Sequence, residues 1–147
     1  MKIRCVWEHN GNDSILYADS FIGAFTRGAS KDLAIQKMPS EIKSYLMWKG
    51  DLVTDSFEPE IVQEKCSDLT ISDADSDVLF DEERKELSVS EYEELKALVL
   101  KSARDFLSLY EAIPDKNKSC LPIRVTFYGQ VPRTASEMYE HTKNVND

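Results

Sequence analysis

Hydrophobic and polar positions alternate from the start of the chain, with Ile3, Cys5 and Trp7 on one side and Lys2, Arg4 and Glu8 on the other. A period of two is the mark of a half-buried strand. Asn10-Gly11 follows at once and supplies the positive φ angles of a hairpin turn, so Ile15-Leu16-Tyr17-Ala18 is the expected return strand. A third short strand, Ala24-Phe25-Thr26-Arg27, lies between Gly23 and Gly28, and the chain opens as a three-strand meander.

The period then changes. Leu33, Ala34, Met38, Ile42, Tyr45 and Leu46 recur at helical spacing behind Ser30, whose hydroxyl is placed to accept a free N–H of the first turn. Asp32 suits the positive end of the helix dipole. Pro39 removes the N–H that would bond the carbonyl of Ile35, which predicts either a kink or two helices with Pro39 in the first turn of the second. Gly50 is the expected terminator, and Glu60 to Lys65 reads as a fourth strand that rejoins the meander. The predicted class is α+β: a small antiparallel sheet of three to four strands packed on one kinked helix, in the order β-β-β-α-β.

Residues 67–87 read as an acidic linker. Within it, Ser72 to Asp77 resembles a calcium loop only in part, because an EF-hand started at Asp73 needs Gly where Val78 stands and Glu where Arg84 stands. Ser88-Val89-Ser90-Glu91 is a capping box that opens a long helix, with Tyr92, Leu95, Val99, Phe106, Tyr110 and Ile113 on one face until Pro114. So apolar a face requires a partner surface. Residues 114–133 hold three prolines and a glycine, with Val125 to Tyr128 as a short extended segment. Thr134-Ala135-Ser136-Glu137 is a second capping box, and Met138, His141 and Val145 share one side of the helix it opens. The expected domains are therefore 1–66, the linker 67–87, and a helical segment 88–147. No glycine, proline or closing contact marks Asp147 as a helix terminus, so a longer protein is expected.

Charge divides the chain the same way. Lys/Arg against Asp/Glu number seven to five over residues 1–50, three to sixteen over 51–94 and eight to six over 95–147, giving +2, −13 and +2. An acidic centre disfavours binding to a phosphate backbone, so nucleic acid is not an expected partner. No apolar run approaches the ~20 residues of a membrane span, and no signal sequence opens the chain, so a cytoplasmic protein is expected. Cys5, Cys66 and Cys120 are odd in number, far apart and free of Cys-x-x-Cys spacing, which reads as reduced structural thiols.

The chemistry-bearing residues are few. His9 and His141 are the only histidines, and they assemble no complete catalytic constellation with the serines, cysteines and carboxylates of the chain; no catalytic residue and no cofactor is assigned within it. His9 reads as an exposed turn residue. His141, beside Met138, reads either as one metal ligand of a helical bundle or as a partly buried helix histidine with a hydrogen-bond partner. Arg27, Lys31, Lys37 and Lys43 solvate the outer faces of a strand and helix. Tyr45, Met47 and Trp48 at the helix end form either a partner-binding patch or core; Tyr45, Trp48 and Arg27 are the candidate partner-binding residues.

Residues 1–66 resemble the HicB-like antitoxin module. The resemblance is carried by the N-terminal strand, the Asn10-Gly11 hairpin, Tyr17-Ala18-Asp19, and Gly23-Ala24-Phe25-Thr26-Arg27-Gly28-Ala29-Ser30 leading into the helix with Ala34. It implies a β-β-β-α-β fold and a protein partner; the family's DNA-binding segment is replaced here by the acidic stretch. Residues 88–147 resemble the first two helices of a DinB-like bundle through Pro132 to His141, and His141 falls on the family's first metal-ligand position. That resemblance implies a divalent metal held by a longer protein, of thiol-transferase type. The two expectations are thus a binding or regulatory module acting through a protein partner or homo-oligomer, and the front portion of a metal-dependent enzyme.

Overall fold

A computed structural model describes residues 1–53, 56–73, 75–119 and 121–146. Cys120 and Ala74 of the acidic stretch lie outside the described residues, as does the side chain of Val145. The chain forms two compact units, residues 1–86 and 87–147.

The first unit is α+β, with β1 (Lys2–His9), β2 (Ser14–Ala18), β3 (Phe25–Gly28), α1 (Lys31–Lys49) and β4 (Glu58–Cys66) in chain order. β1 and β2 pair antiparallel with Glu8 opposite Ile15 and Val6 opposite Tyr17, and β3 adds antiparallel to β2. β4 adds on the other side of β1 in parallel, giving the order β3-β2-β1-β4. The sheet is therefore mixed where an antiparallel one was expected. The reason is the crossover: α1 carries the chain over one face and returns it running the same way as β1. A bulge leaves Val62 unpaired between Ile61, opposite Cys5, and Gln63, opposite Val6. Pro59 is tolerated because β4 is an edge strand.

Ser30 caps α1 by accepting the Leu33 N–H, and Gly50 ends it at φ 88° with its N–H on the carbonyls of Leu46 and Met47. Ala34, Met38, Ile42 and Leu46 form the buried stripe, while Leu33 is 46% exposed. The helix runs unbroken through Pro39. A proline inside a helix costs about 3 kcal/mol, which the stripe offsets at roughly 1.5–3 kcal/mol for each large buried side chain. The stripe packs on Ile3, Cys5, Leu16, Ala18, Ala24 and Phe57. Gly28 sits where β3 meets α1, and a Cβ there would lie 2.8 Å from Leu33 Cβ and 3.0 Å from Ala34 N.

Of the stretch 67–87 expected as a solvated linker, the described residues 67–73 and 75–86 belong to the first unit with the sheet. The 3-10 turn Ile71–Asp73 packs on β2 and buries Ile71 to 1% exposure. Downstream, Ser76 and Asp77 reach Glu8, Phe80 meets Tyr17, and Glu82 pairs with Arg4. The stretch is as acidic as its sequence, but it covers the second face of the sheet.

In the second unit, α2 (Val89–Ala112) starts at the Ser88/Glu91 capping box. A small hairpin follows, β5 (Val125–Thr126) and β6 (Gly129–Gln130), with Phe127 and Tyr128 in its turn. α3 (Ala135–Asn146) is capped by Thr134, whose hydroxyl accepts the Glu137 N–H while Glu137 accepts the N–H groups of Arg133 and Thr134. Tyr110 of α2 stacks on Tyr139 of α3 at 4.6 Å. No residue of α2 is buried. No helix among the described residues is long and apolar enough to cross a membrane.

Candidate functional site

The helical stripe that buries Ile42 and Leu46 places Tyr45 and Trp48 at the margins of α1's last turn. Tyr45 is half-buried, meets Phe21 edge-on at 5.8 Å and lies 5.7 Å from Trp48. Burial raises the Tyr45 pKa, against a smaller lowering by Lys49. Phe21 and Tyr45 both pack against the core cluster, so this aromatic group is in part the rim of the core.

Arg27 stands elsewhere. Its guanidinium lies over the Phe25 ring at 5.4 Å, its carbonyl accepts from Lys37 Nζ at 2.6 Å, and its Nε is buried without a hydrogen-bond partner. It lines an open groove of about 460 Å³ with Phe25, Thr26, Lys37, Ser40, Glu41 and Ser44. Tyr45 and Trp48 are not among its walls. The three predicted partner-binding residues thus divide, two on the end of α1 and one on the edge strand β3.

His141 and Met138 are exposed on α3, whose Tyr139 stacks on Tyr110 of α2. Among the described residues, no three or more His, Cys, Asp and Glu side chains gather as a metal site.

Two groupings escaped the sequence reading. On the α1 side of the sheet, Trp7 is flanked by His9, stacked at 4.0 Å, and by Lys31 Nζ at 4.2 Å from the ring centre; His9 Nε2 lies 3.2 Å from Glu64 Oε1. His9 is therefore a half-buried strand-end residue. The signal was the two-residue spacing of Trp7 and His9, which puts both on one face.

On the opposite face lies Glu8, with no exposed surface. Ser76 Oγ donates to its Oε2 at 2.5 Å, the Asp77 N–H to its Oε1 at 3.3 Å, and the Tyr17 hydroxyl, 3.5 Å from Oε2, donates to Ser76 Oγ at 2.8 Å. Tyr17, Ser76 and Glu8 make a relay that ends on the carboxylate. Burial raises the Tyr17 pKa more than the Ser76 bond lowers it. Around them Lys65, opposite Glu8 on β4, pairs with Asp77 at 3.7 Å, and Arg4 lies between Asp19 at 3.0 Å and Glu82 at 3.1 Å. The hydrogen bond to Asp19 is the largest influence raising the Arg4 pKa.

The third surface is apolar. Along α2, Val89, Tyr92, Val99, Leu107 and Leu109 are exposed, from 44% at Leu107 to 81% at Val89, and Leu121, Ile123, Val125 and Phe127 of the same unit are exposed as well. At 100° per residue the apolar positions of α2 sweep roughly 200° of its circumference, about twice the stripe that a surface helix presents to a single core. No family model, no curated protein and no solved structure matches the chain.

Proposed function

We propose that this chain is a binding or regulatory module of HicB-like type that acts through protein–protein contacts, self-association among them, with the apolar surface of α2 as the contact. The carrying observation is that a 24-residue helix has no buried residue while Val89, Tyr92, Val99, Leu100, Leu107 and Leu109 stay exposed. Contiguous apolar surface of that kind marks interaction sites. The β-β-β-α-β order of the first unit is the one that the HicB-like resemblance implies, and it supports the same reading.

Size-exclusion chromatography with light scattering, run from micromolar to hundreds of micromolar, tests it. The mass is expected to rise with concentration, and Val99→Glu with Leu109→Glu is expected to return the protein to monomer with its helix content unchanged. A constant monomer mass, together with no binding of a hydrophobic dye, overturns the proposal.

A further inference from the structure

The stretch of residues 75–86 is attached to the sheet in a different manner from α1. α1 is held by four buried apolar positions. The stretch is held mostly by polar groups: Ser76 and Asp77 on Glu8, the Asp81 N–H and the Leu79 carbonyl on the two ends of the Gln63 amide at 2.9 Å each, Asp77 on Lys65, and Glu82 on Arg4. Phe80 on Tyr17, at 5.3 Å between ring centres, is its one aromatic contact to the sheet among the described residues. Residues 81–86 are exposed throughout. Exposed ion pairs and hydrogen bonds contribute little net stability in water, and segments with little apolar burial open at lower free energy than the core they cover.

Glu8 makes the attachment conditional. Its neighbours on that face, Val6 and Ile15, are buried and apolar. A third apolar residue at position 8 would pack on them whether or not anything lay above. A carboxylate there has its two shortest hydrogen bonds, from Ser76 and the Asp77 N–H, only while the stretch is down; once they leave, the Tyr17 hydroxyl, 3.5 Å away on β2, is the sheet donor that remains, and the other lone pairs need water. The cation nearest in register, Lys65, is shared with Asp77 of the same stretch.

We propose that residues 75–86 are a strap that lifts from the sheet as a unit while β1 to β4 and α1 stay folded, with Glu8, Ser76 and Asp77 as its latch. Lifting bares Glu8 and Tyr17 and releases Arg4 and Lys65 from their strap carboxylates. This switch lies in the first unit.

Native-state hydrogen exchange on the full chain tests it. The reporters are the Asp77 and Asp81 amides, whose acceptors are Glu8 and Gln63, and the amides of Val6 and Leu16 in the sheet. In the unaltered protein Asp77 and Asp81 are expected to exchange together, at least a hundredfold faster than Val6 and Leu16 and with little dependence on denaturant. Ser76→Ala, at an exposed position, is expected to speed the two strap amides by tenfold or more and leave the sheet amides unchanged; Glu8→Gln is expected to act in the same direction. Strap and sheet amides exchanging at one rate, Ser76→Ala speeding all of them equally, or unprotected strap amides in the unaltered protein would each overturn the proposal.

Discussion

The hydroxyl of Ser76 donates to the carboxylate of Glu8 at 2.5 Å, and that carboxylate lies wholly out of solvent on a central strand of the sheet. A residue far along the chain thus completes the coordination of a charge on the first strand.

Removing the charge and shrinking the side chain are separable. Glu8→Ala leaves a void and strips the Asp77 N–H of its acceptor, at an expected cost of about 2–4 kcal/mol. Glu8→Met keeps the volume and removes the buried charge, and is expected to cost less than the alanine variant. Urea unfolding followed by tryptophan fluorescence reads this directly, because Trp7 and Trp48 both belong to the first unit.

Gly28 is sensitive to a single methyl. Its nearest neighbours include the Ala34 nitrogen at 3.0 Å, which is helix backbone and yields poorly. Gly28→Ala is expected to destabilise by about 1–3 kcal/mol through overpacking, seen as a lowered thermal midpoint.

The two described cysteines should differ sharply toward alkylating agents. Cys5 is buried, and burial pushes its thiol up to about 11; Cys66 is exposed. Iodoacetamide at pH 8 is expected to modify Cys66 and spare Cys5, as read by peptide mass mapping. Because folding raises the Cys5 value above its ordinary 9.0, the stability it contributes is full below that pH and is lost as pH rises toward about 11. Cys5→Ala is expected to flatten that alkaline decline.

The cap of α3 carries an acid-side dependence. Hydrogen bonds from the Arg133 and Thr134 N–H groups hold the Glu137 carboxyl below its ordinary value. A lowered value means that the cap is intact above the usual carboxylate range and is lost as pH falls through the folded-state value. The amide resonances of Arg133 and Thr134 are expected to move together over that fall, and Glu137→Gln to abolish the movement.

Much of the first unit was legible because its signals are local. Alternation marked β1, Asn10-Gly11 marked the turn, and Ser30 and Gly50 marked both ends of α1. The direction of β4 was not legible, since Glu58 to Cys66 reads alike in either sense and only the crossover decides. The covering of the second face was missed because its contacts join polar residues distant in the chain, such as Glu8 with Asp77, in a stretch whose composition is that of a linker. Of the candidate site, the Tyr45 and Trp48 pairing followed from their spacing. Arg27 parted from them because β3 ends on a different margin of α1, and on α3 it is Tyr139 that stacks on α2 while Met138 and His141 stay exposed.

The parallel pairing of β4 with β1 has a kinetic side. β1 is synthesised well before it can be flanked on both sides, for its second neighbour begins only at Glu58. Until that segment emerges and α1 has carried it across, one border of β1 offers unpaired backbone to any strand within reach. Closing so long a connection is slow beside the β1–β2 hairpin, so the hairpin is expected to form early and β4 to dock in a later, rate-setting step. Substitutions at Ile61 should therefore slow refolding, while those in the Asn10-Gly11 turn change when the first pair of strands appears.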